Sequence, residues 1–137
     1  MTQPGLTQEQ ALRAYATMMH TGSVDHLAPL LHERVHYESQ WSFHEEAAVW
    51  VPYERETKED YLDHIRTRLA LIDASGQRVF AEMGRLPTGP CVILAEGDKD
   101  SLVGTVLVKV QDGFIRHLEL CTVPDPYEAE RTGEYPG

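Results

Sequence analysis

The chain has 137 residues, with 12 Lys and Arg against 22 Asp and Glu and a formal net charge of -10. That acidity opposes the phosphate neutralisation on which nucleic-acid and anionic-membrane binding depend, so both partners are excluded, and the length suits one domain with a single core. Two cysteines, Cys91 and Cys121, are too few for a disulfide framework and too widely spaced for a CxxC motif, which leaves two reduced thiols in strands.

The first ten residues, MTQPGLTQEQ, carry neither a basic n-region nor an apolar h-region, and no window approaches membrane-spanning length, so the expected protein is soluble and cytoplasmic. Thr7 followed by Gln10 is a capping-box signal, and Leu12, Tyr15, Ala16 and Met19 then recur at helical spacing. A first amphipathic helix ending near Gly22 follows. Ser23 caps a short second helix with Val24, Leu27, Leu30 and Leu31 as its buried stripe, distorted late by Pro29.

From Val35 the period becomes two. Val35, Tyr37, Ser39, Trp41 and Phe43 point one way, and His36, Glu38, Gln40 and Ser42 the other, which predicts a half-buried strand. Residues Ala47 to Tyr53 could form a second strand hairpinning back, limited by Pro52. Thr57 caps a long helix whose face is Tyr61, Leu62, Ile65, Leu69 and Ile72, closed by Ser75-Gly76. Four strands then follow as an antiparallel meander: Arg78 to Gly84, Cys91 to Glu96, Leu102 to Val110 and Phe114 to Val123, the last two joined at Asp112-Gly113. The final stretch, 124–137, holds three prolines and two glycines and is expected to be an irregular arm beyond a domain spanning 1–123. Three N-terminal helices beside a curved sheet make an α+β fold.

His32-Glu33-Arg34-Val35-His36 is a literal H-E-x-x-H, the spacing that on a helix gives two zinc-binding imidazoles and a general base. The strand period starts inside the motif, however, and in a strand the two histidines lie about 13 Å apart, too far to share an ion. His32 and Glu33 are therefore expected in the loop closing the second helix. No metal and no cofactor is assigned. A different group, His36, Glu38 and Gln40 with His117 and Glu119 of the last strand, would share one polar face if those strands were neighbours. Such a face would suit a metal or an acid-base pair, and equally a solvated or dimer-forming outer surface.

Two stretches, YATMMHTGSVDHLAPLLHERVHYES from Tyr15 to Ser39 and VLVKVQDGFIRHLEL from Val106 to Leu120, resemble the nuclear transport factor 2-like superfamily, which includes ketosteroid isomerase-like and SnoaL-like folds. The resemblance implies a cone-shaped sheet wrapped around the helices, with an apolar pocket at its open end. It places the isomerase branch's enolate-donating tyrosine at Tyr15, but its general-base aspartate falls on Ser39, and 101–110 contain no acid for the second donor. The acid of the SnoaL-like branch falls on Leu120. No catalytic residue is therefore assigned, and whether the protein is an enzyme stays open.

Tyr15, Tyr37, Ser39, Trp41, Leu118 and Leu120 become the expected pocket wall, hydroxyls among apolar groups suited to a small hydrophobic molecule bearing one or two oxygens. The expected function is binding of such a molecule. A weak lyase, isomerase or hydrolase and a non-catalytic association module are the alternatives. Homodimerisation is expected; nucleic acid and membrane are not.

Overall fold

The computed structural model describes residues 5–39, 53–122 and 125–137. Helix α1 is Gln8–Thr21 and opens on the predicted capping box, in which the Thr7 side chain accepts from the Gln10 backbone and the Gln10 side chain accepts from Thr7. It closes at Gly22, whose φ of 77° is a left-handed conformation that costs glycine little. Helix α2, Lys58–Ser75, is capped by the Thr57 side chain and ends at Gly76 in the same way. Among the described residues no helix is long and apolar enough to cross a membrane.

The short second helix is instead two 3-10 turns, Val24–His26 and Ala28–Leu30. Pro29 within the second turn has no N–H to donate, which keeps the turns from merging into one α-helix. Strand β1 consequently begins earlier than its alternation suggests, running Leu31–Ser39. This corrects the expected loop at His32 and Glu33: both are strand residues. The H-E-x-x-H motif thus lies wholly on a strand.

Strands β2 (Tyr53–Arg55), β3 (Val79–Leu86), β4 (Gly89–Glu96), β5 (Leu102–Gln111), β6 (Phe114–Cys121) and β7 (Glu130–Arg131) complete a seven-stranded sheet in the order β2-β1-β6-β5-β4-β3-β7. The predicted meander is its centre, β3 to β6. Where a wholly antiparallel sheet is expected, β1 pairs with β6 in parallel, so the sheet is mixed. Parallel pairing follows from α2 and the meander intervening between the two strands, since neighbours joined by a long crossover can run the same way. The curved, unclosed sheet and its helices form an α+β cone.

One core lies between the sheet's inner face and the two helices, and includes Leu12, Tyr15, Tyr37, Ile65, Val92 and Leu118. A smaller core, with Leu86, Cys91, Ile93, Ala95, Leu102 and Ala129, lies on the sheet's other face. Strand β4 feeds both, Val92 and Leu94 inward and Cys91, Ile93 and Ala95 outward, which is why it reads as an unbroken apolar run.

The C-terminal residues are tied down. Residues Pro126–Glu128 form a 3-10 turn and β7 pairs with β3. Buried Glu82 of β3 accepts from Arg131 Nε at 2.8 Å, from the Gly133 backbone at 2.8 Å and from the Tyr135 hydroxyl at 3.2 Å. Arg131 also reaches Asp100 at 2.8 Å, and Arg13 of α1 pairs with Glu134.

Candidate functional site

Five of the six expected pocket residues lie in the interior of the cone: Tyr15, Tyr37, Ser39, Leu118 and Leu120 are all buried. Their convergence follows from alternation, because Tyr37 and Ser39 of β1 stand in register with Leu118 and Leu120 of β6, on the same face of the sheet. Tyr15 meets them from α1. Trp41, the sixth, lies outside the described residues, as does most of the expected second strand.

The tertiary structure adds a charged group. Arg68 of α2 is only 4 % exposed. It falls seven residues after Tyr61 and three after Ile65, on the apolar stripe of the helix, where each turn otherwise supplies a core side chain. The Tyr37 hydroxyl is hydrogen-bonded by Arg68 and Ser39. Burial pushes the Tyr15, Tyr37 and Tyr61 hydroxyls above the ordinary tyrosine range, and the guanidinium of Arg68 partly offsets that rise in each. All three are therefore neutral donors at physiological pH.

Tyr61 packs its ring 4.9 Å from that of Tyr37, while His64 lies 5.2 Å from Tyr37. The Tyr61 hydroxyl is buried and has no hydrogen-bond partner among the described residues. Such a group costs about 1–3 kcal/mol if nothing satisfies it. At the end of β4, Glu96 follows Val92 and Leu94 on the inner side, with one carboxyl oxygen buried and, among the described residues, unpartnered. Burial raises its pKa, and the Arg68 charge lowers it in part.

Arg68, Tyr61 and Glu96 were not assigned from the sequence. The legible signal was Arg68 itself, a charge on a stripe otherwise apolar. Glu96 reads as the polar start of an acidic turn, and only the bend of the sheet brings it within reach of Arg68.

Chemically the interior formed by the described residues offers the Arg68 cation, neutral hydroxyl donors and a carboxyl group among aliphatic walls. A guanidinium and phenols suit an oxygen bearing negative charge, and the apolar surroundings suit a hydrocarbon body. Elsewhere, a groove of about 610 Å³ runs between the ends of α1 and α2 and strand β3, with Arg78, Phe80, Lys99 and Tyr135 in its lining. It contains none of the five interior residues.

The polar face of β1 and β6 is also brought together. His36 stands in register with His117 and Glu38 with Glu119, and the two imidazole centroids are 5.1 Å apart. All four side chains are partly buried, between 21 % and 41 % exposed. Strand β2 adds Glu54 in register with Glu38.

No family model and no curated protein matches this chain. Solved structures do. A nuclear transport factor 2-like protein of unknown function from Cytophaga hutchinsonii aligns with 90 % of this chain and 97 % of its own, at TM-score 0.55 and 12 % identity. Another of unknown function, from Mesorhizobium loti, aligns with 97 % of this chain and 100 % of its own, at TM-score 0.53 and 17 % identity. A candidate ketosteroid isomerase from Kribbella flavida aligns over 82 % of this chain and 76 % of its own, at TM-score 0.53 and 20 % identity. The chain has the nuclear transport factor 2-like fold, as the two sequence stretches implied. Identities this low speak to fold, and function has to come from the side chains.

Proposed function

We propose that the protein binds a small molecule with a hydrophobic body and one anionic or strongly polarised oxygen, held inside the cone. The carrying observation is Arg68, a buried guanidinium among Tyr15, Tyr37 and Tyr61, with the Tyr61 hydroxyl unpartnered among the described residues. Burying a cation costs several kcal/mol even after relaxation, an expense that evolution retains most readily where a ligand uses the charge. In this reading Arg68 and Tyr61 receive the ligand's oxygen, while Tyr15, Tyr37, Ser39, Leu118 and Leu120 form the wall.

Binding is favoured over a family reaction because Ser39 stands where a carboxylate base is required and cannot hold a proton as one does. The test is a thermal-shift series with paired probes of equal length, decanoate against decanol and 4-phenylbutyrate against 4-phenylbutanol. Carboxylates should raise the melting temperature more than their alcohols in the natural chain, and the preference should vanish in Arg68→Met. If no probe shifts the transition, or if alcohols and acids act alike, the reading fails. It also includes a cytoplasmic homodimer. Sedimentation as a monomer at micromolar concentration would remove the dimer.

A further inference from the structure

The outer face of β1 and β6 carries a second, independent constellation. His36-Tyr37-Glu38 and His117-Leu118-Glu119 are two copies of His-x-Glu, and parallel pairing sets them side by side with His36 against His117 and Glu38 against Glu119. Residues two apart on a strand share a face, so the four polar side chains form a rectangle of about 4.8 by 6.6 Å at the backbone. Tyr37 and Leu118, between them, point into the core.

Among the described residues this rectangle is electrostatically incomplete. Glu54, Glu38 and Glu119 occupy one register row across three adjacent strands, and like charges directly opposite each other destabilise a sheet. Among the described residues no Lys or Arg is ion-paired with any of the three; Glu38 faces His36 and Glu119 faces His117. Lys109, the register partner of His117 on β5, is exposed and makes no ion pair with them.

Donor atoms already converge. One ligand atom each from Glu38, His117 and Glu119 lies within 4.8 Å of the others. Bonds of about 2.0–2.2 Å to a common tetrahedral ion place donors about 3.3–3.6 Å apart, so the donors must close by about 1 Å through side-chain rotation. Both carboxylates are held from behind. His36 Nε2 lies 2.8 Å from Glu38 Oε1, and Cys121 Sγ donates to Glu119 Oε1 at 3.3 Å. The other oxygen of Glu119, Oε2, faces His117 Nε2 at 3.8 Å. Partners of this kind orient a ligating carboxylate and keep its second oxygen for the ion.

We infer that Glu38, His117 and Glu119 form a binding site for one divalent first-row transition metal, with His36 and Cys121 positioning the two carboxylates. One imidazole with two carboxylates selects Zn²⁺ or Mn²⁺ over the all-oxygen preference of Ca²⁺ and Mg²⁺. The ion cancels the repulsion along the glutamate row and ties β1 to β6 across their parallel seam. Because these side chains lie on the opposite face of the strands from the ligand-binding interior, the site stands or falls separately from the proposed function.

The test is equilibrium dialysis of the full chain, stripped with chelator, against Zn²⁺ and separately Mn²⁺, with metal content measured per chain and thermal unfolding recorded in parallel. One ion of at least one of the two metals should be retained per chain and should raise the melting temperature. Glu119→Gln and Glu38→Gln, which keep side-chain shape, should each weaken retention at least 10-fold, and His36→Gln should weaken it about 10- to 100-fold as a positioning residue. His26→Ala, on an exposed turn, should leave it unchanged. Retention of neither metal, or retention undiminished in both glutamine variants, overturns the site. The unfolding curves of the metal-free variants separate lost binding from lost folding.

Discussion

Replacing Arg68 by methionine separates a ligand-binding guanidinium from a structural one. Methionine keeps much of the length of the side chain and removes its charge, so the change relieves the desolvation penalty, several kcal/mol for an ion in an interior. Against that stand the hydrogen bond from Arg68 to the Tyr37 hydroxyl, worth about 1 kcal/mol net, and the attraction to Glu96. Tyr37 retains its bond with Ser39, and Glu96 can take up a proton, so neither of these two partners is left as an uncompensated charge. For the desolvation penalty set against these two contacts, the balance favours the variant by about 1 kcal/mol, which for a chain of this size raises the melting temperature by roughly 2–5 °C. Affinity for an anionic probe should move the other way. Hydrogen bonds to a charged group contribute about 1.5–3 kcal/mol, so decanoate should bind roughly 10- to 100-fold more weakly. Urea unfolding and fluorescence titration with the same preparations measure both quantities. A variant less stable by more than about 2 kcal/mol, with probe affinity unchanged, would refute the argument and make Arg68 a structural anchor.

Glu96 gives a pH signature: burial raises its pKa, so the folded chain holds that proton to higher pH than the unfolded chain does, and stability present below the ordinary carboxylate range is lost as pH rises through the raised value. The natural chain should therefore lose stability relative to Glu96→Gln as pH rises above the ordinary carboxylate range, as read by urea unfolding; a flat or rising difference contradicts this. In Gly104→Ala the new Cβ would lie 2.9 Å from the Cys121 backbone oxygen, and because backbone cannot rotate away, β5 and β6 must separate at a cost of about 1–3 kcal/mol. Chemical denaturation showing less than about half a kcal/mol would mean the strands adjust freely. Arg131→Ala removes the only cation paired with buried Glu82 among the described residues but leaves the Gly133 and Tyr135 donors, so a loss of about 2 kcal/mol is expected, with faster proteolysis after residue 125. Unchanged stability and cleavage would show that β7 pairing and the remaining Glu82 and Glu134 contacts secure the segment without Arg131.

Much of the fold was legible because its signals are local. The capping box at Thr7 and Gln10, the Thr57 cap, and glycines at both helix ends act within one turn of chain, so neighbouring residues suffice to place α1 and α2. Alternation along β1 likewise assigned Tyr37 and Ser39 inward and His36 and Glu38 outward, a consequence of the two-residue period alone. The start of β1 was missed because Pro29 reduced a helix to 3-10 turns, and apolar Leu30 and Leu31 fit either structure.

From the sequence alone followed the class of fold, the limits of α1 and α2, the order of the meander strands and which face of β1 is apolar. The tertiary structure decided that β1 runs parallel to β6, that Arg68 is buried beside three tyrosines and Glu96, and that two His-x-Glu segments stand in register. The difference is one of range. Caps and periodicity are properties of a few consecutive residues, whereas strand partnership and the environment of a charge depend on chain segments distant in sequence, and no local pattern in either segment records which partner it will meet.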